Sequence, residues 1–139
     1  MNTHKQNAMS LPRLHAAAAA FFAEFDRAFE TFDGAVVAAR YSAPYLAVRA
    51  DGTSECFATA EAISTYFQRI LDAYHHGNCR SCTHRELELV EVGSSAVFAT
   101  VTWDLLRSDN TVVKSWRESY SLVFSGEKLK ACMSMDHAE

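Results

Sequence analysis

The sequence has few of the residues that interrupt regular structure, with 5 glycines and 2 prolines in 139 residues. So few backbone breakers are typical of long helices and strands joined by tight turns. The chain also has no run of lysine or arginine, and its formal net charge is −4 at pH 7. Because nucleic acids and anionic membranes attract basic surfaces, we expect neither as a partner.

Long apolar runs are absent as well, and none approaches the roughly 18 residues of a membrane span. Lys5 and Arg13 precede an alanine-rich stretch in the manner of a secretory signal. However, the same helical pattern continues through Glu24 and Asp26 without an evident cleavage site. We therefore expect a cytoplasmic protein.

The 4 cysteines are too few and too irregularly spaced for the disulfide framework of a secreted protein, so we expect mostly free thiols. Cys79 and Cys82 have the spacing of zinc ligands, and three histidines flank them: His75, His76 and His84. A structural zinc site usually joins this kind of pair to a second, distant pair, which the sequence lacks. We predict no metal site here and no cofactor.

The length suits one domain, which we place at residues 10–139 after a polar tail at 1–9. Ser10 is a plausible cap for a first helix that ends near Asp33 and Gly34. Its apolar residues recur every three or four positions and include Phe21, Phe22, Phe25, Phe29 and Phe32. We interpret this stripe as core packing.

The middle of the chain predicts a short segment at 35–41, a break at 42–44 and a hairpin of strands 45–49 and 54–57. A second long helix then runs from a cap at Thr59 to Gly77. Four strands follow, at 83–92, 96–107, 112–124 and 128–137. We predict an α+β fold, in which a curved, mainly antiparallel sheet combines the N-terminal hairpin with a C-terminal meander. Helices on its concave face would leave a cone-shaped pocket.

The last two strands carry the candidate site. In the strand 112–124, one face has large apolar residues around a single carboxylate, Glu118, and the other has mostly small hydroxyls. Regular alternation in the strand 128–137 places His137 on the matching face and Asp136 on the opposite one. We predict that Glu118 and His137 face the pocket as catalytic residues.

Burial among aromatic residues would raise the pKa of Glu118 and suit it to general acid or base catalysis near neutral pH. The alternative is a glutamate paired with Arg107 or Arg117, and for His137 a solvated C-terminal residue. We predict an apolar, largely aromatic wall for a ligand: Tyr45, Tyr66, Trp103, Trp116, Tyr120 and Met133. Ordinary core packing is the alternative for these side chains.

Several motifs accompany this order of elements: Arg40-Tyr41-Ser42-Ala43-Pro44-Tyr45, Asp51-Gly52, Ala60-Glu61-Ala62-Ile63, Trp116-Arg117-Glu118 and Met133-Ser134-Met135-Asp136-His137. The chain resembles the nuclear transport factor 2-like superfamily, also called cystatin-like or SnoaL-like, over residues 14–137. It is similar in particular to small bacterial members of unknown function related to the calcium/calmodulin-dependent kinase association domain. The superfamily includes isomerases, cyclases, dehydratases and non-catalytic association domains, so the resemblance implies a fold and not a reaction.

Ketosteroid isomerase, an enzyme of that superfamily, uses a carboxylate base with a tyrosine and a protonated aspartate as oxyanion donors. By eye, its tyrosine falls on Phe25, its base on about Arg49 and its aspartate on about Tyr120. We therefore do not expect steroid isomerisation by that mechanism. The catalytic aspartate of the polyketide cyclases has a counterpart only in Asp136, which alternation turns away from His137.

Two functions follow from these residues. The first is binding of a small apolar or aromatic molecule in the cone, with Glu118 as acid or base and His137 as its polar partner. The second is a non-catalytic association module that acts through the outer sheet face. Members of the superfamily commonly dimerise through that face, so the resemblance implies a homodimer.

Overall fold

A computed structural model describes residues 11–139, and the predicted tail and the predicted cap Ser10 lie outside them. Within the described residues, no helix has both the length and the apolar character needed to cross a membrane. The elements are α1 (Leu11–Phe29), α2 (Gly34–Ala38), β1 (Tyr41–Val48), β2 (Ser54–Phe57), α3 (Ala60–His76), β3 (Ser81–Val92), β4 (Ala96–Leu106), β5 (Val112–Ser125) and β6 (Lys128–Asp136).

The six strands form one sheet in the order β2-β1-β6-β5-β4-β3. Strands β1 and β6 are parallel and all other neighbours are antiparallel. Because β6 pairs with both β1 and β5, it joins the N-terminal hairpin to the meander. The predicted α+β fold with a curved, mainly antiparallel sheet is confirmed.

Helix α1 packs on the sheet through the predicted phenylalanine stripe. Phe22 is fully buried, and the Phe25 ring lies 4.9 Å from the Trp103 ring, centroid to centroid. Burying one such side chain stabilises the fold by about 1.5–3 kcal/mol. The helix ends at Phe29, short of the predicted Asp33, and Asp33 instead caps α2 by accepting the Ala35 N–H at 2.9 Å.

Gly34 allows α2 and α3 to approach closely. A Cβ atom at this position would lie 2.5 Å from the Ser64 carbonyl oxygen and 2.8 Å from the Gln68 nitrogen. The Gly34 N–H donates to the Gln68 side chain at 2.7 Å, and the Gln68 amide donates to the Phe32 carbonyl at 3.1 Å. These contacts hold both helices over one end of the sheet.

Strand β1 begins at Tyr41 and runs through Pro44, where we predicted a break. The residues from 42 to 44 pair with neither neighbouring strand, because the register with β6 shifts between Tyr41 and Leu46. A proline lacks an N–H to donate to a ladder, and it is tolerated at an irregularity of this kind. On the N-terminal side of this shift, Tyr41 still pairs with β6, opposite Ala131.

Strand β6 contains a bulge that changes which side chains face inward. Ser121 pairs with Met133 and Leu122 pairs with Ala131, so Cys132 has no residue opposite it. One extra residue reverses the alternation of a strand. Met133 therefore does not lie on the predicted inward face, and Ser134 and Asp136 take the inward positions, while His137, just beyond the strand, still borders the cavity.

Candidate functional site

A cavity of about 310 Å³ lies between the helices and the concave face of the sheet. All 5 tyrosines and both tryptophans of the chain contribute to its lining. The structure places five of the six predicted wall residues there: Tyr45, Tyr66, Trp103, Trp116 and Tyr120. Met133 is not among the lining residues, because the bulge turns it to the convex face.

Glu118 lies near the centre of this sheet face, opposite Val101 on β4 and Asp136 on β6. It is 8% exposed, and the Trp116 indole N–H donates to its Oε1 at 2.9 Å. Burial, and then the negative charge of Asp136, raise the pKa of Glu118 to about 8, while the Trp116 hydrogen bond acts in the opposite direction. The carboxyl group therefore changes protonation near neutral pH.

The arginines considered as partners of Glu118 bind elsewhere. Arg117 points to the convex face, where it donates to Thr102 at 3.0 Å and pairs with Glu88. Arg107 donates to Thr111 at 3.1 Å, in the turn between β4 and β5. Neither therefore neutralises the buried carboxyl group.

Asp136 is the functional candidate that regular alternation misplaced. It is half-buried, lines the cavity and pairs in register with Glu118. Directly opposite side chains on antiparallel strands are separated by only about 5 Å at their Cβ atoms. The two carboxyl groups are thus neighbours because of the bulge at Cys132, which regular alternation along the sequence does not predict.

Three tyrosines line the cavity together with the carboxyl pair, two from β1 and one from β5. The Trp103 indole N–H donates to the Tyr120 hydroxyl at 2.7 Å, and the Tyr45 hydroxyl and Ser134 Oγ are 2.5 Å apart. Burial raises the pKa of Tyr41, Tyr45 and Tyr120 above the usual value. The hydroxyls therefore stay neutral and can donate or accept hydrogen bonds.

Tyr41 was missed because we read residues 35–41 as one segment ahead of a break. It is 5% exposed and lines the cavity. Its hydroxyl has no hydrogen-bond partner within residues 11–139. Tyr41 therefore brings an unused polar group to the cavity.

The structure does not bring the His137 ring to the Glu118 carboxyl. The ring Nε2 lies 2.7 Å from Ser119 Oγ, which faces the convex side, and the His137 backbone N–H donates to the Arg117 carbonyl at 2.9 Å. His137 borders the cavity mouth from this position. Its predicted contact with Glu118 is therefore replaced by that of Asp136.

The histidine and cysteine cluster is dispersed in the structure. Cys79 donates to the Ser81 carbonyl at 3.3 Å, whereas His84 Nδ1 lies 2.9 Å from Asp26 Oδ2 and joins β3 to α1. Burial raises the pKa of the Cys79 and Cys82 thiols, which makes them poor nucleophiles. In the described part of the chain, no three His, Cys, Asp or Glu side chains form a group suited to a metal.

Comparison with known proteins identifies a family by sequence and a fold by structure. A sequence model of the family described as "NTF2-like protein (DUF6841)" matches residues 16–139. No curated protein sequence matches the chain. The chain is also similar to many solved structures.

Three of those structures illustrate how similar the folds are at low sequence identity. A Xanthomonas campestris protein, named after the calcium/calmodulin dependent protein kinase II association domain, has a TM-score of 0.65 at 16% identity, over 88% of this chain and 85% of its own. An NTF2-like protein of cystatin-like fold from Novosphingobium aromaticivorans has a TM-score of 0.70 at 8% identity, over 89% and 80%. A Catenulispora acidiphila protein, solved in complex with S-DNPA, has a TM-score of 0.68 at 20% identity, over 89% and 92%. Identities this low establish the fold alone.

Proposed function

Since the chain belongs to the NTF2-like family DUF6841, we propose that it binds a small apolar or aromatic molecule in its cavity and uses Glu118 as general acid or base. Membership in this family implies a scaffold and no particular reaction. The observation that carries the proposal is the buried carboxyl group of Glu118 in a cavity with aromatic walls. The Catenulispora acidiphila protein, which has the same fold, was solved with a bound compound, and this supports a ligand-binding role.

The chemistry follows from the protonation state of Glu118. With its pKa raised to about 8, the group holds a proton at neutral pH that it can donate to a ligand oxygen or carbon. After donation, its carboxylate can remove a proton from another position of the same ligand. Isomerisation, cyclisation and dehydration all need such a transfer, so these are the reaction classes that we propose.

Glu118→Gln tests this role, because glutamine keeps the shape and still accepts the Trp116 N–H. A panel of aromatic ketones and alcohols would be screened for binding by ligand-observed NMR, and each binder then assayed for conversion. We expect Glu118→Gln to bind with similar affinity and to lose turnover by about 10²-fold or more. Glu127→Gln, in the exposed turn between β5 and β6, is the control with the same change of side chain. Unchanged turnover in Glu118→Gln would contradict the acid–base role.

The second candidate function, a non-catalytic association module, is supported by the convex face. Met135 is 40% exposed there, next to the Thr100 and Ser119 hydroxyls, which lie 2.7 Å apart. We propose that this face forms a homodimer. Ser121→Trp should block association in light scattering, whereas Ser94→Trp in the β3–β4 turn should not. Equal masses for wild type and Ser121→Trp would contradict this candidate.

A further inference from the structure

Within residues 11–139, the carboxyl pair in the cavity has no positively charged partner. Glu118 and Asp136 are adjacent on β5 and β6, and Glu139 adds a third acidic residue to the cavity lining. No ion pair among residues 11–139 includes Glu118 or Asp136. With its raised pKa, Glu118 holds a proton at neutral pH, and the negative charge that the pair keeps is unfavourable in a site shielded from water unless a cation binds there.

Three basic residues also line the cavity, Arg49, Lys114 and His137, but each contacts a group other than the carboxyl pair. The Arg49 guanidinium donates to Glu55 at 2.8 Å. The Lys114 ammonium lies 5.2 Å from the centre of the Trp116 ring. The His137 ring Nε2 lies 2.7 Å from Ser119 Oγ. The negative charge of the cavity is therefore open to a ligand.

Tyr41 gives independent evidence of a polar group in the ligand. Its side chain is more than nine-tenths buried, and its hydroxyl is without a hydrogen-bond partner in the described chain. Because no buried side-chain oxygen or nitrogen atom of the described residues lacks a partner, this hydroxyl is accessible from the cavity, where a polar group of a ligand can bind it. Tyr41, Glu118 and Asp136 all line this one cavity, so a single polar group of a ligand can approach both the hydroxyl and the carboxyl pair.

The walls of the cavity are suited to a positive charge. Aromatic faces attract cations through the negative charge density above the ring. Lys114 on the Trp116 ring demonstrates such a contact within this protein. A ligand ammonium would meet other aromatic rings of the lining, such as those of Tyr66 and Tyr74.

We propose that the ligand is an organic ammonium ion, in which a protonated amine is attached to a flat apolar body. Its N–H groups would donate to the carboxylate of Asp136 and to the oxygen atoms of Glu118 and Tyr41, while the body occupies the aromatic part of the cavity. This inference rests on the proposed ligand-binding function and specifies its ligand class. A neutral or anionic ligand of the same shape would leave the carboxyl charge without a partner.

Three compounds with one carbon skeleton test the inference on the full chain: phenethylammonium, 2-phenylethanol and phenylacetate. Their affinities at neutral pH would be measured by calorimetry. We expect the ammonium ion to bind at least about tenfold more tightly than the alcohol, and phenylacetate to bind most weakly. Asp136→Asn should remove most of the difference in affinity between the ammonium ion and the alcohol, while its affinity for 2-phenylethanol stays that of the wild type. Glu127→Gln should change the affinity for neither compound.

The outcomes separate this inference from the proposed function. If the alcohol binds in the cavity and the ammonium ion binds no better, the ligand class is wrong and the binding function stands. If none of the three compounds binds, both proposals are contradicted. If Asp136→Asn does not fold, as judged by circular dichroism, the order of the three affinities on the wild-type protein tests the ligand class by itself.

Discussion

Replacing Glu118 by glutamine should change how the stability of this protein depends on pH. The folded protein holds the Glu118 proton up to about pH 8, whereas an ordinary glutamate loses it near 4.5. Between these values, the folded state binds more protons than the unfolded state. The stabilising effect of protonated Glu118 is thus complete below pH 4.5 and is lost as the pH rises through about 8.

The magnitude follows from the width of this window. Each pH unit within it lowers the free energy of unfolding by about 1.4 kcal/mol, and the whole window corresponds to about 5 kcal/mol. This is an upper limit, because Asp136 interacts with Glu118 and shares the titration. Glutamine has no proton to lose, so Glu118→Gln should gain about 3 kcal/mol over wild type between pH 5 and pH 8.

Urea unfolding followed by far-UV circular dichroism at several pH values measures this difference. Far-UV detection is preferable to tryptophan fluorescence, because Trp116 contacts the substituted side chain. Glu127→Gln, which removes a carboxylate from an exposed turn, should follow the wild-type profile. Parallel profiles for Glu118→Gln and wild type would refute a raised pKa at Glu118.

Three further substitutions test the packing that positions the cavity, each by urea unfolding. Gly34→Ala should lower the unfolding free energy by about 1–3 kcal/mol, because its Cβ would lie 2.5 Å from the Ser64 carbonyl oxygen; unchanged stability would contradict this close approach. Thr59→Ala should cost about 1 kcal/mol, since the Thr59 side chain accepts the Ala62 N–H at 3.1 Å as the cap of α3, and Thr59→Ser should recover most of the loss. Phe22→Ala should cost about 3–5 kcal/mol by opening a cavity under α1, and a loss below 1 kcal/mol would show that this ring is not part of the core.

Local patterns in the sequence predict most of the elements. The spacing of the phenylalanines predicted α1, Thr59 and Gly77 marked the ends of α3, and Asp51 and Gly52 marked the β1–β2 hairpin. These features depend on residues within a few positions of each other, so they can be read without tertiary contacts. The same holds for the alternation of β5, which places Glu118 on the inward face.

Local patterns in the sequence could not predict which residues share the cavity with Glu118. The bulge at Cys132 reverses the alternation of β6, so Asp136 takes the position that regular pairing assigned to His137. Likewise, Tyr41 enters the cavity because β1 pairs in parallel with β6, a strand about 90 residues later in the chain. Both depend on which strands pair and where their register shifts.

The sequence by itself thus determined the helices, the strands and the inward direction of one buried carboxylate, because periodicity and turn chemistry are local. Only the tertiary structure decided that this carboxylate faces a second one, that the Tyr41 hydroxyl in the same cavity has no partner among residues 11–139, and that the His137 ring binds Ser119 and not Glu118. Strand register is set by contacts between distant segments, and a shift of one residue exchanges the two faces of a strand.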